Sequence, residues 1–435
     1  MKKTLLLLLI FTVISLFSDL SAQKNDKMED IKYRRSSLHT MLIETSDFPN
    51  KEVVMKAYKE APFPDKYNNH TIGEKSFDPK QYLVSDEAIK AAGIKKNQKD
   101  IENGKLPEMP LIIENYFDKN KIANKMIAKW FDRDSLGAFD MNLIGERGMY
   151  NASDMAAKIA QGTARGTASL ADAGEELIKN TFVVVTKLKF VSNETVAAGI
   201  REVSLEAANQ IKNEMIRQAA IIAANKIYEK TKEGYSVWTT AYLYQLNWND
   251  SIAAVFYNNM WMDKSSINPT KKELFDNSDL FSLNFVGSEK ASSLVTFSLK
   301  KGEGNRTDEQ VIELATIRNI DAVYAKLQKK YDVFKTKTPL YTGYPITAKI
   351  GMKEGLEGGE KFEVLEQMID KKTGLTVYKN KGVIKVDKKL IWDNRYNAGE
   401  SPKNPVLDKD GKPITVTTFK GGKKFYSGML IRQLK

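Results

Sequence analysis

Apolar and polar positions change period several times along the chain, and each change predicts an element. Residues 36–43 (SSLHTMLI) read as a strand, and residues 51–59 read as a helix with Val53, Val54 and Ala57 on one side. Pro62, Pro64, Asp65, Asn68 and Asn69 make residues 61–69 a loop. Ser85-Asp86-Glu87 opens a short helix that Gly93 closes, and the polar stretch 94–105 reads as a linker. Pro110 precedes a long helix in which Ile122, Ala123, Met126, Ile127 and Trp130 form an apolar stripe. The β-branched run Val183-Val184-Val185 makes residues 181–191 (TFVVVTKLKFV) a buried strand. A helix opening at Ser204, with Ile211, Met215, Ala219 and Ile222 inside, leads to a strand over 235–246. Two further strands are expected at 281–286 and 293–299. Thr307 and Gln310 then match a capping box that begins a helix running to Tyr331.

After Pro339 the helical period stops. Short strand-like pieces alternate with turns at 346–350, 361–365, 375–379, 383–386, 414–419 and 425–431, and Gly421-Gly422 reads as a hairpin turn between the last two. The fold class expected is therefore α+β: a mixed helix and strand layered body with a small C-terminal all-β domain, a barrel or a sandwich. The divisions are 1–22 as a leader, 23–109 as an N-terminal α/β segment, 110–335 as the body and 340–435 as the β-domain.

The leader reading rests on Lys2 and Lys3, an apolar run over 5–17, and the small pair Ser21-Ala22 before Gln23, the layout of a cleaved secretory signal. As a helix that run rises about 20 Å, too little for a hydrocarbon core of about 30 Å. The expectation is export to the periplasm, the outer membrane surface or the medium, with no membrane-spanning helix once the leader is removed. Residues 152–174 are rich in Ala and Gly, with Gly162 and Gly166 four apart. They suggest a tight helix contact inside the chain or a self-association face.

Charge changes the picture most. The 435-residue chain carries a net +12. Residues 371–435 carry 16 Lys and Arg against 5 Asp and Glu, whereas residues 23–370 carry 49 of each sign. The excess thus lies in the β-domain. It reads either as a solvated surface or as a module for an anionic envelope component or an acidic protein partner, with Lys379, Lys381, Lys385, Lys388, Lys389, Lys420, Lys423 and Lys424 as candidate contacts. Lysine is a point charge without bidentate geometry, so diffuse attraction is expected, and nucleic acid is disfavoured by the leader.

The chain has no cysteine, which excludes thiol nucleophiles, disulfides and thiolate metal sites. His39 falls in a strand and His70 in a polar loop near Asp65, Glu74 and Asp78; a lone histidine among scattered carboxylates specifies neither a metal site nor a base. Residues 132–137 begin like a calcium loop but place Leu136 at a ligand position, and residues 354–360 lack the Lys and Ser/Thr of a phosphate loop. No catalytic, metal or cofactor set is expected. One alternative survives: Trp238, Tyr242, Tyr244 and Trp248 share a parity along one strand. If exposed, they would stack on sugar rings in a carbohydrate-binding or carbohydrate-hydrolysing protein; if buried, they are a core face. A non-enzymatic binding or assembly role in the cell envelope is the leading expectation.

Overall fold

A computed structural model describes residues 33–95, 106–150, 176–297, 305–370, 376–398, 405–408 and 410–434. The leader, the Ala/Gly-rich 152–174 and nearly all of the linker lie outside these residues. The body contains β1 (Ser37–Ile43), α1 (Lys51–Glu60), β2 (Asn68–Asn69), β3 (Ser76–Phe77), α2 (Asp86–Ala91), α3 (Met109–Lys119), α4 (Ile122–Trp130), α5 (Asn142–Tyr150) and β4 (Thr181–Ser192). It continues with α6 (Asn193–Asn209), α7 (Glu214–Thr231), β5 (Tyr235–Leu246), α8 (Asp250–Val255), α9 (Pro269–Asn277), β6 (Leu283–Val295) and α10 (Asp308–Lys330). Then follow β7 (Thr338–Gly343), β8 (Ile346–Ala348), β9 (Lys361–Ile369), β10 (Thr376–Val386), β11 (Thr417–Lys420) and β12 (Leu430–Gln433). The fold is α+β, with a mixed sheet in the body and a closed six-stranded antiparallel barrel at the C-terminal end.

The body sheet runs β2-β1-β4-β5-β6, with β3 also paired to β1. β1 lies parallel to β4, and β4, β5 and β6 are antiparallel. Both faces are covered, which is why β4 reads as an unbroken apolar run. Val183 and Val185 point into a core closed by α3, α4 and the 250–281 stretch. Phe182, Val184, Leu188 and Phe190 point into a second core closed by α1 and α10. α10 starts with the capping box read from the sequence: Gln310 N donates to Thr307 Oγ1 at 3.3 Å, and Thr307 N donates to Gln310 Oε1 at 2.9 Å. The barrel order is β10-β11-β8-β7-β12-β9, around its own core of Leu340, Ile346, Phe362, Val364, Ile384 and Phe419 among others.

Several expectations need correction. The long helix after Pro110 is two helices, because the Asn120 side chain donates to Tyr116 O at 2.9 Å and Lys121 takes a left-handed backbone at φ 51°. The helix placed at Ser204 is likewise two helices. Ser204 sits inside α6, where its hydroxyl bonds Ile200 O at 2.7 Å, while Asn213 caps α7 by accepting from Ile216 N at 3.1 Å. Met215 and Ile222, expected inside, are exposed. The segments around 281–286 and 293–299 are served by one strand, β6, which bulges at the Leu243/Tyr244 register shift. In the barrel, 375–379 and 383–386 are one strand with a bulge between Asn380 and Gly382. Gly421-Gly422 makes no hairpin: β11 pairs with β8 and β10, and β12 pairs with β7 and β9. β7 includes Pro339, which signals a break in the sequence; in the barrel Pro339 lies opposite Leu430, where β7 and β12 share only two register pairs.

Both histidines are fully buried. His70 is held by a hydrogen bond from Nε2 to Met126 O at 2.9 Å and receives one at Nδ1 from Arg147 at 3.1 Å, with its ring stacked on Trp130 at 4.9 Å. The carboxylates near it in sequence are not its partners. Among the described residues His39 makes no ring hydrogen bond, and burial pushes its pKa from 6.5 down to about 3; burial also drives His70 well below its ordinary value. Unfolding returns both rings to ordinary basicity, so below about pH 6.5 the unfolded chain binds more protons. Their contribution to stability is complete above that pH and is lost as the pH falls. Urea midpoints are expected to drop between pH 6.5 and 5 as the unfolding free energy falls by up to ~1.4 kcal/mol per pH unit for each histidine. His39→Leu should keep neutral-pH stability and remove its share of the slope; an unchanged slope in that variant would contradict the assignment.

Candidate functional site

Strand register places two of the candidate cations, Lys385 and Lys420, on the outer face of the barrel. β10 alternates: Ile384 and Val386 point into the barrel core, while Val383 and Lys385 point outward. Lys385 lies directly opposite Lys361 on β9 and opposite Lys420 on β11. The three lysines therefore form a row across adjacent strands at steps of about 4.8 Å. Lys361 was not among the residues singled out from the sequence, because only the register reveals it.

The other lysines extend this row. Gly358 and Gly359 take positive φ values of 108° and 100°, and the Lys388 stem lies against them so closely that a Cβ on Gly358 would meet Lys388 Cγ at 2.4 Å. Lys385 and Lys388 converge over Gly359, each with its Cε within 3.6 Å of where a Cβ would stand. On the other side Lys424 Nζ lies 3.4 Å from the equivalent position at Gly382, and Lys423 sits over the Tyr344 ring at 5.1 Å. Of the eight candidate lysines, seven are exposed and Lys381 is half-buried.

Two of these cations are paired. Lys420 meets Asp387 at 3.3 Å, and Lys381 meets Glu366 at 3.1 Å. Glu366 also accepts from the Tyr426 hydroxyl at 2.8 Å, and together Tyr426 and Lys381 hold its carboxyl below the ordinary range. The Lys389 backbone N–H does the same for Asp387, aided by Lys420. Among the described residues, Lys361, Lys379, Lys385, Lys388, Lys389, Lys423 and Lys424 have no ion-pair partner. Exposed Val383 lies two residues from Lys385 on the same side of β10, and exposed Val377 and Met368 face each other near Lys379 at the other end of the β9–β10 pair. The face offers ammonium groups and exposed apolar side chains, and among the described residues it holds no cluster of metal-ligating side chains.

The barrel is fastened to the body. Phe334, at the end of the connection from α10, is fully buried between Tyr67 and Phe182. Tyr33 packs with Leu365 and Leu430, and its hydroxyl meets that of Tyr378, whose ring lies 4.2 Å from Lys337 Nζ. Arg318 donates to Tyr396 O and Asn397 O at 3.0 Å, and the Tyr396 hydroxyl donates to Glu313 at 2.6 Å. The seam cleft lined by Lys66, Gln328 and Glu354 encloses about 30 Å³, room for a water molecule and not for a ligand.

The four aromatic residues do share one face of β5 and its extension, as their parity predicts, but they form no open platform. Tyr244 is buried, with its hydroxyl donating to Pro110 O at 3.0 Å and its ring edge-on to Phe117. Trp248 is buried against Phe131, Phe256 and Phe281. Tyr242 is half-buried, and burial pushes its hydroxyl pKa up to about 12. Only Trp238 of the four is exposed, at 43%. The row fails as a sugar-stacking surface because α3 and the 250–281 stretch cover its far half. The acidic loop at 132–137 is a turn in which Asp134 Oδ1 accepts from Leu136 N and Ala138 N.

Trp248→Ala and Tyr244→Ala are expected to cost ~3–5 kcal/mol each in chemical denaturation. Trp238→Ala should stay within ~0.5 kcal/mol. Equal, small losses at all three positions would place the aromatic row at the surface after all. No family model and no curated protein matches the chain, so the reading of the barrel face rests on its own geometry.

Proposed function

We propose that the protein is an exported cell-envelope component, non-enzymatic, that uses the basic face of its C-terminal barrel to associate with an anionic envelope surface bearing phosphate headgroups. The observation that carries this reading is the row Lys361, Lys385 and Lys420, joined by Lys388, in which most ammonium groups lack an ion-pair partner among the described residues. Like charges set directly opposite one another destabilise a sheet. Exposed Val383 beside Lys385, and exposed Val377 and Met368 beside Lys379, suit a headgroup layer better than a purely hydrated polyanion. The leader pattern at residues 1–22 supports delivery to that compartment. Among the described residues no helix is long and apolar enough to cross a membrane, and the proposed contact is at the surface. An acidic protein partner would draw on the same lysines without needing the apolar positions.

The test is co-sedimentation of the mature chain with vesicles containing or lacking anionic lipid over a salt series. Binding should require the anionic lipid and weaken steeply as salt rises. Replacing Lys379, Lys381, Lys385, Lys388 and Lys389 by Gln should remove ~1 kcal/mol per lysine in contact, or more than about 100-fold in total. Retained binding in that variant, or binding indifferent to salt, would overturn the reading. Binding to an acidic protein with none to vesicles would replace the surface with that partner.

A further inference from the structure

The helical hairpin α6–α7 joins β4 to β5 and stands off the end of the sheet, beyond the last strand pair, Ser192 and Tyr235. Asn193 fixes its base: the side chain donates to Glu233 O and Val295 O and accepts from Ser236 Oγ. Between the two helices the buried side chains are small, namely Ala197, Ala208 and Ala224. Arg201 adds a hydrogen bond to Asn225 at 2.7 Å and a stack on Tyr228 at 5.1 Å. The large apolar side chains of the hairpin point the other way. Ile200, Val203, Met215, Ile216, Ile222 and Ile227 are 52–82% exposed. Covering a large aliphatic side chain is worth about 1.5–3 kcal/mol, so this is a costly surface to leave in water.

The pattern says what covers it. Residues 200, 203 and 207 on α6, and 216, 223 and 227 on α7, recur at helical spacing. Because the helices are antiparallel and meet through their alanines, the two rows lie along the same side of the hairpin. Charge is divided between the helices. Glu194, Glu202 and Glu206 on α6, and Lys212, Lys226 and Lys230 on or beside α7, are exposed. Among the described residues the ion pairs of the hairpin are Arg217 with Glu214 and Lys232 with Glu229, which leaves those six charges without a partner. An acidic helix, a basic helix and a shared apolar side complement themselves when a two-fold axis runs along the hairpin.

We propose that a second copy of this chain covers this face, the two hairpins packing as a four-helix bundle with α6 of each against α7 of the other. Ile200 and Val203 of one copy then meet Ile216 and Ile227 of the other, and the glutamates lie over the partner's lysines. Each contact occurs twice, so each substitution acts twice.

Sedimentation velocity of the mature chain over a concentration series tests this. The sedimenting mass should double with concentration. Ile216→Glu combined with Ile227→Glu should leave a monomer at every concentration with an unchanged far-UV circular dichroism spectrum. Glu202→Lys with Glu206→Lys, or Lys226→Glu with Lys230→Glu, should weaken the dimer at low salt. The four changes together should restore it, a readout that does not depend on the isoleucine variants folding. A wild-type chain that stays monomeric throughout, a dimer that survives the isoleucine substitutions, or charge swaps that do not rescue each other would overturn the proposal.

Discussion

The two-sided burial of β4 organises the body. Its residues from Phe182 to Val185 alternate between two hydrophobic cores, so both faces of this half of the strand are covered, while Lys187 and Lys189 occupy the first-core side further along. That requirement sends α3, α4, α8 and α9 to one side and α1 and α10 to the other. It also recruits β1 in parallel, through seven consecutive register pairs from Ser37 with Thr181 to Ile43 with Lys187. The barrel inherits its position from the same constraint. α10 covers the second core, and the chain leaving it inserts Phe334 beneath β4, beside Phe182, before β7 begins. A phenylalanine in the core of the body is thus one of the contacts that hold the barrel in place.

Elements with a strong local signature were legible in the sequence. The valine run of β4, the capping box of α10 and the stripe of α4 each combine a clear period with a boundary signal. The α+β class and the β character of the C-terminal region follow from the same patterns. What was not legible depended on non-local pairing. β6 holds a Gly, Ser, Glu and Lys stretch of poor strand propensity because β5 offers a partner along its whole length. The strand over Pro339 exists because β12 and β8 need a neighbour to close the ring. In α6–α7 the helical period is real, yet the apolar positions face outward, because alanines make the contact inside the hairpin. Periodicity identifies a face without saying what it meets.

The same distinction governs the candidate site. Composition placed the lysines in the C-terminal region, and the structure sets Lys385, Lys388 and Lys420 beside one another on the barrel, where Lys361 joins them only through register. Directly beneath the row, Phe362 and Phe419 pack edge to face at 5.4 Å, with Ile384 opposite Phe362. The apolar layer inside the barrel offsets the repulsion outside it. The aromatic row had the opposite fate: its parity was read correctly, and tertiary packing by helices distant in sequence decided that it is core.

The bulge in β10 has one more consequence. Among the described residues β10 meets β11 only at Lys385 and Val386, so the strand carries a long flank that no described neighbouring strand completes. A flat apolar flank of that kind would template intermolecular β-pairing and, eventually, fibrils. Here Lys379 and Lys381 stand along it, and the bulge at Asn380 and Gly382 twists the backbone out of line. The cations that would draw the molecule to a surface therefore also keep crowded copies from zipping together edge to edge.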